Sequence, residues 1–105
     1  MPLPELRVDF RGDGRAALVG ALDIVTIDVL EAGLTELESG NGDVSLDVSG
    51  LTFLDSTGIG AIVRFARRLG PRRVQIVGAT GTVRSTLLIA GIDGHEGIEV
   101  EQPST

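Results

Sequence analysis

Asp55, Ser56 and Thr57 stand side by side in the stretch FLDSTGIGA (53–61), a carboxylate and two hydroxyls followed by glycines at 58 and 60. A hydroxyl becomes a nucleophile only when a base takes its proton, and the one histidine, His95, lies far along the chain. A serine hydrolase would also want Ser56 on a G-x-S-x-G elbow, where Leu54 occupies the first glycine position. Acyl transfer through Ser56 and His95 is therefore a remote possibility, and His95 in DGHEG (93–97) reads as an exposed loop residue. The same stretch offers too few ligands for a closed metal site. Two other glycine-rich strings lose their chemistry on inspection. GDGRAA (12–17) follows a strand, but what comes after it is another strand and not the helix a dinucleotide fingerprint requires. GATGTVRST (78–86) has neither the lysine nor the spacing of a phosphate loop and reads as a strand-to-helix loop with threonine at the helix cap.

The elements that position Ser56 can be traced from periodicity. ELRVDF (5–10) alternates apolar and polar residues as a half-buried strand does, and Asp13-Gly14 is a hairpin turn signal leading into a second strand, 15–22. A helix is expected from Thr26, with Ile27, Leu30, Leu34 and Leu37 inward, weakened by Gly33 and stopped by SGNG (39–42). A third strand covers 43–50 with Val44, Leu46 and Val48 on one face. The corner follows, and then a helix from about 56 to 69 whose Ile59, Ile62, Val63, Ala66 and Leu69 face inward, with Arg64, Arg67 and Arg68 on the other side. Residues 73–78 form a fourth strand. A third helix runs from Thr80 or Thr82 to Ala90, with Val83, Leu87 and Ala90 inward, and Gly91 stops it. The end of the chain holds at most a short last strand and a polar tail, about 101–105. The order β-β-α-β-α-β-α-β predicts an α/β fold: one domain over 1–105, a mixed and mostly parallel sheet of four to five strands packed with about three helices.

Composition narrows the function. With 105 residues, 42% of them hydrophobic, the chain is expected to fold as a single globule. A net charge of −6 opposes nucleic acid and anionic lipid, and three phenylalanines with no Trp or Tyr leave no stacking platform for bases. All nine positive charges are arginine, which excludes lysine chemistry, and the absence of cysteine removes thiol catalysis and sulfur-bound metals. The expectation is a cytoplasmic protein without a signal peptide or membrane span, and without a cofactor. At the corner, two uses of the residues stay equally open. Asp55 or Ser56 can cap the helix, for which one residue suffices; or a hydroxyl is presented outward, with Gly58 and Gly60 leaving bare backbone for a partner's close approach.

GALD (20–23) with Thr26, SLDVSGLTFLDSTGIGAIVRFARR (45–68) and VQIVGATGTVRSTLLIAGID (74–93) together resemble the STAS-domain anti-sigma factor antagonists. The D-S-[ST]-G-[LIV]-G segment is the specific part, and the resemblance runs from about Leu6 to Asp93. It implies a regulatory binding protein and not an enzyme. Its serine, carried onto Ser56, is phosphorylated by an anti-sigma factor with serine kinase activity and restored by a serine phosphatase. The unphosphorylated form holds the anti-sigma factor and frees a sigma factor. The resemblance places Asp23 near the phosphoacceptor and makes Asp23, Asp55, Ser56, Thr57, Gly58, Ile59 and Gly60 the partner-binding residues. It implies no direct contact with nucleic acid or membrane and leaves the oligomeric state open. Family members usually end in another amphipathic helix, for which GHEGIEVEQPST (94–105) has no pattern, so that helix is expected to be absent or degenerate. The alternative is a STAS scaffold or small-ligand or nucleotide-binding module of a sensory or transport assembly, in which Ser56 is never phosphorylated.

Overall fold

The computed structural model describes residues 5–102. The strands β1 (Leu6–Gly12) and β2 (Arg15–Leu22) form an antiparallel hairpin. Asp13 (φ 53°) and Gly14 (φ 74°) turn it, two consecutive left-handed residues of the kind a tight hairpin with right-twisted strands demands. The chain continues through α1 (Ile27–Glu38), β3 (Val44–Leu54), α2 (Ser56–Leu69), β4 (Val74–Val77), α3 (Gly81–Ile89), a 3₁₀ turn at Ile92–Gly94 and β5 (Ile98–Val100). The sheet order is β1-β2-β3-β4-β5, antiparallel only at the first pair. This is the mixed, mostly parallel five-stranded sheet with three helices that the element pattern predicts. Among the described residues no helix follows β5.

Strand register explains which side is core. Val8 pairs with Leu18, Ala16 with Leu46, Leu46 with Ile76, and Ile76 with Val100, so these residues share one face. Parallel neighbours joined in sequence need right-handed crossovers, which carry the helices to that same face. There Leu18, Leu22, Leu30, Leu34, Leu46, Ile62, Phe65 and Ile76 are fully buried in one cluster, joined by Val83 and Leu87 of α3. Gly33 is not a blemish in α1. A Cβ there would come within 3.0–3.3 Å of the Val8 side chain, so the helix gives up intrinsic propensity to lie close on β1. The helices α1 and α2 are joined on the outside by Arg68 Nε to Glu38 Oε1 at 2.9 Å and Arg64 to Glu31 at 3.6 Å. Two of the three arginines on the outward side of α2, Arg64 and Arg68, thus bridge the two helices.

The opposite face has no helix over it and is largely polar: Asp9, Ala17, Asp47 and Val77 align in one row, and Arg15, Ser45, Gln75 and Glu99 in the next. Asp47 accepts from the Ser49 N–H at 2.9 Å and from Arg11 Nη1 at 3.4 Å. The Ser49 hydrogen bonds, with the Arg11 charge as a lesser contribution, hold its carboxyl below the usual carboxylate range.

Two expectations need correction, and two more gain detail. The third strand does not stop at residue 50 but runs to Leu54, because Gly50 fits tightly against Val19 and Leu18 and the ladder resumes past a register shift. Ala90 is exposed and lies past the end of α3, beyond the inward positions Val83 and Leu87. Thr80 does occupy the N-cap position of α3, yet its hydroxyl makes no capping bond. Glu101 is tied down, its N–H donating to the Ile76 carbonyl at 2.8 Å and its own carbonyl accepting from Arg84 at 3.0 Å. The rest of the expected polar tail, 103–105, lies outside the described residues.

Candidate functional site

The strands β2 and β3 run parallel and end together, with Leu22 beside Leu54. Each hands over to a helix through an aspartate, so Asp23 and Asp55 emerge next to one another, linked by the Asp55 N–H donating to the Leu22 carbonyl at 3.3 Å. Both carboxylates close their corner the same way. Asp23 Oδ1 accepts from the Val25 N–H at 2.9 Å and the Thr26 N–H at 3.1 Å. Asp55 Oδ1 accepts from the Thr57 N–H at 3.0 Å and the Gly58 N–H at 3.4 Å, which makes it the N-cap of α2. A helix leaves its first N–H groups without intrahelical partners, and this carboxylate satisfies two of them.

The hydroxyls at the two corners differ. Thr26, only 4% exposed, donates to the Ala21 carbonyl at 2.8 Å and accepts from the Asp23 N–H at 3.1 Å. Ser56 is the first residue of α2, is exposed, and makes no side-chain hydrogen bond among the described residues. With Asp55 doing the capping, the Ser56 hydroxyl is left exposed and unengaged among the described residues.

Around it, Asp23, Asp55, Thr57 and Gly60 are half-buried and reach the surface. Gly58 and Ile59 do not: both are buried on the inner side of α2. The idea that Gly58 leaves bare backbone for a partner is corrected by the packing. A Cβ at Gly58 would fall 2.5 Å from Leu22 Cγ, 2.7 Å from Leu22 Cδ2 and 3.1 Å from Leu54 Cδ1, so the glycine lets α2 sit down on the ends of β2 and β3. Gly60 points elsewhere; a Cβ there would meet only the flexible end of Arg64, at 3.2 Å.

Sequence patterning missed the apolar rim of the corner. Ile24 (73% exposed) and Val25 (61%) follow Asp23 directly, and Phe53 (50%), paired with Ala21, precedes Leu54 and Asp55. The available signal was two branched apolar residues in a turn, where polar ones are usual. Single exposed apolar side chains are ordinary, but three at one strand-to-helix edge give the corner an apolar border.

His95 is brought nowhere near Ser56. It borders a groove with Val63, Ala66, Arg67 and Gly70, at the C-terminal half of α2, and the rise of a helix puts that end on the order of 20 Å from Ser56. Among the described residues no three His, Asp or Glu side chains gather as a metal site, and no helix is long and apolar enough to cross a membrane.

Comparison with known proteins agrees with this architecture. The chain is 29% identical to the anti-sigma-B factor antagonist of Staphylococcus aureus, over 78% of its own length and 82% of that protein. Its fold superposes with a TM-score of 0.70 on the crystal structure of an anti-sigma factor antagonist from Mycobacterium paratuberculosis, at 21% identity, covering 92% of this chain and 86% of the other. The anti-sigma factor antagonist SpoIIAA in its unphosphorylated form gives the same TM-score of 0.70 at 16% identity, covering 93% and 89%. The family described as Mlab, STAS domain matches residues 6–100, and the chain belongs to the STAS domain family.

Proposed function

We propose that the chain is an anti-sigma factor antagonist, a binding regulator whose partner is an anti-sigma factor that is also a serine kinase. With Ser56 unmodified, the corner occupies that partner and a sigma factor is free in the cytoplasm. Transfer of a phosphoryl group to the Ser56 oxygen ends the complex, and a serine phosphatase restores it. The observation that carries this reading is the division of labour at the head of α2: Asp55 caps, and Ser56 is exposed with no partner of its own. Such a hydroxyl needs no internal base, since the kinase supplies the one that activates it. The names of the relatives support the same class.

The switch follows from charge. A phosphate brings about −1.5 to −2 charges to a corner that already holds the Asp23 and Asp55 carboxylates. The Thr57 and Gly58 N–H groups, which would otherwise receive it, are already engaged by Asp55. The added charge therefore stays at the surface, beside Ile24, Val25 and Phe53, where an interface formed against a neutral hydroxyl and an apolar border would have to desolvate it. That supplies the roughly 1–3 kcal/mol typical of regulatory coupling, about 5- to 150-fold in affinity, without unfolding the domain.

Incubation with the kinase and ATP, followed by peptide mass spectrometry, should place a single phosphate on Ser56. Ser56→Ala should keep binding and become insensitive to ATP, whereas Ser56→Asp should fold normally and bind poorly. Phosphate confined to Thr57, or to the Ser85-Thr86 pair on α3, would sink the proposal.

A further inference from the structure

The strand β1 forms one edge of the sheet, and among the described residues nothing pairs with its outer side. Which backbone groups face outward can be deduced. The Ala21 N–H donates to the Glu5 carbonyl at 2.9 Å, in register with the pair Leu6 and Gly20. Hydrogen-bonded pairs alternate along an antiparallel ladder, so residues 5, 7 and 9 bond to β2, while Leu6, Val8 and Phe10 turn their N–H and C=O groups outward.

The side chains of this edge form a pattern that is complementary to its own reverse. Leu6-Arg7-Val8-Asp9-Phe10 is apolar, cationic, apolar, anionic, apolar, and Val8 is its centre. We propose that β1 pairs antiparallel with β1 of a second copy about a two-fold axis at Val8, giving a dimer with one continuous ten-stranded sheet. In that register Val8 faces Val8 of the second copy, and Leu6 faces Phe10, through the backbone groups that β2 leaves unused. Arg7 then lies directly across from Asp9 of the second copy, and Asp9 from Arg7, at cross-strand distance on the face that carries no helix. Arg7 and Asp9 already approach each other at 2.8 Å within one chain, so the four charges close an alternating square. Exposed edges are often guarded by charged side chains, especially lysines, which repel a second copy when like charges meet. Opposite charges two residues apart do the reverse, and a two-fold interface must be complementary to itself.

On the other face of this edge, α1 covers Leu6 and Val8 but not Phe10. Phe10 (51% exposed) and Val29 (44%) line a groove of about 500 Å³ between β1 and α1, together with Ala32 and Gly33. The same two-fold axis brings this groove against its equivalent, so the second copy removes both exposed apolar residues from water. Because the axis reverses the strand direction, the two Ser56 corners lie at opposite ends of the joined sheet, and each remains open to a partner.

The test is the mass of the full chain by light scattering and sedimentation equilibrium, for wild type, Arg7→Asp, Asp9→Arg and the double exchange, with circular dichroism as the control for folding. Wild type should dimerise. Each single reversal should weaken the dimer by at least about tenfold, since two symmetry-related pairs turn from attraction to repulsion. The double exchange restores opposite charges across the axis and should restore the dimer. A wild-type chain that stays monomeric at submillimolar concentration overturns the proposal. So does a dimer that the single reversals leave unchanged, because it would form through another surface.

Discussion

The corner from β2 to α1 and the corner from β3 to α2 sit side by side and are closed by the same device, an aspartate Oδ1 receiving the N–H groups two and three residues ahead. They differ in how soon the helix begins. After Asp23 the chain makes a turn before α1 starts at Ile27, and this tucks Thr26 under the turn, where its hydroxyl serves two backbone groups. After Asp55 the helix starts at once, and a side chain on its first residue has no backbone of its own to serve. One hydroxyl is therefore structural and the other is presented. The comparison shows that a Ser or Thr beside a capping aspartate cannot be assigned a role from the residue pair alone; the number of residues before the helix decides it.

The contrast can be broken most forcefully at the seat of α2. Gly58→Val should lower stability by at least about 1–3 kcal/mol, because Leu22 and Leu54 must move to admit the side chain. Gly60→Ala, two residues on, should leave stability unchanged or raise it by up to about 1 kcal/mol, as a helical alanine does. Thermal melting of both variants checks the pair, and equal melting temperatures would mean that α2 is not held down at Gly58. At the first corner, Thr26→Val removes a buried hydroxyl and strands the Ala21 carbonyl and Asp23 N–H, so a loss of about 1–3 kcal/mol is expected in denaturant unfolding.

The second corner should divide its loss unequally. Asp55→Ala forfeits the cap and should cost about 0.5–2 kcal/mol. Ser56→Ala touches nothing inside the protein and should stay within about 0.5 kcal/mol of wild type. Comparable losses for the two would make Ser56 part of the cap and weaken its role as an outward-facing group.

The smallest effect concerns a third carboxylate using the same contact away from any helix. Asp47 is held below the ordinary carboxylate range, chiefly by the Ser49 N–H. A depressed carboxyl contributes stability above its unfolded pKa and loses it as the pH falls through the lower folded value. Wild type should thus exceed Asp47→Asn in melting temperature at neutral pH, with the gap closing in acid below the usual carboxylate range. A gap that widens in acid would have the wrong sign for this contact.

The amino-acid sequence by itself determined the element order, the apolar stripe of each helix and the mixed sheet, because periods of two and of about 3.6 are local properties of a chain with one apolar side. It also placed the corner, a strand end running into a helical pattern through Asp55, Ser56 and Thr57, but left open which of these residues caps. Tertiary structure decided what the pattern leaves ambiguous. Gly50 looks like a strand end and is a close fit against Val19, so β3 runs on to Leu54. Gly58 and Gly60 are the same residue two positions apart, yet one lies against Leu22 and the other near only an arginine tip, because successive residues of a helix point 100° apart and only the neighbouring strands define which direction is inward. The apolar border of Ile24, Val25 and Phe53 forms only when two strands distant in sequence end at the same edge of the sheet. Ser56 could be recognised from its motif, but its lack of a partner depends on Asp55 taking the cap, and that is a matter of where two backbone N–H groups point in three dimensions.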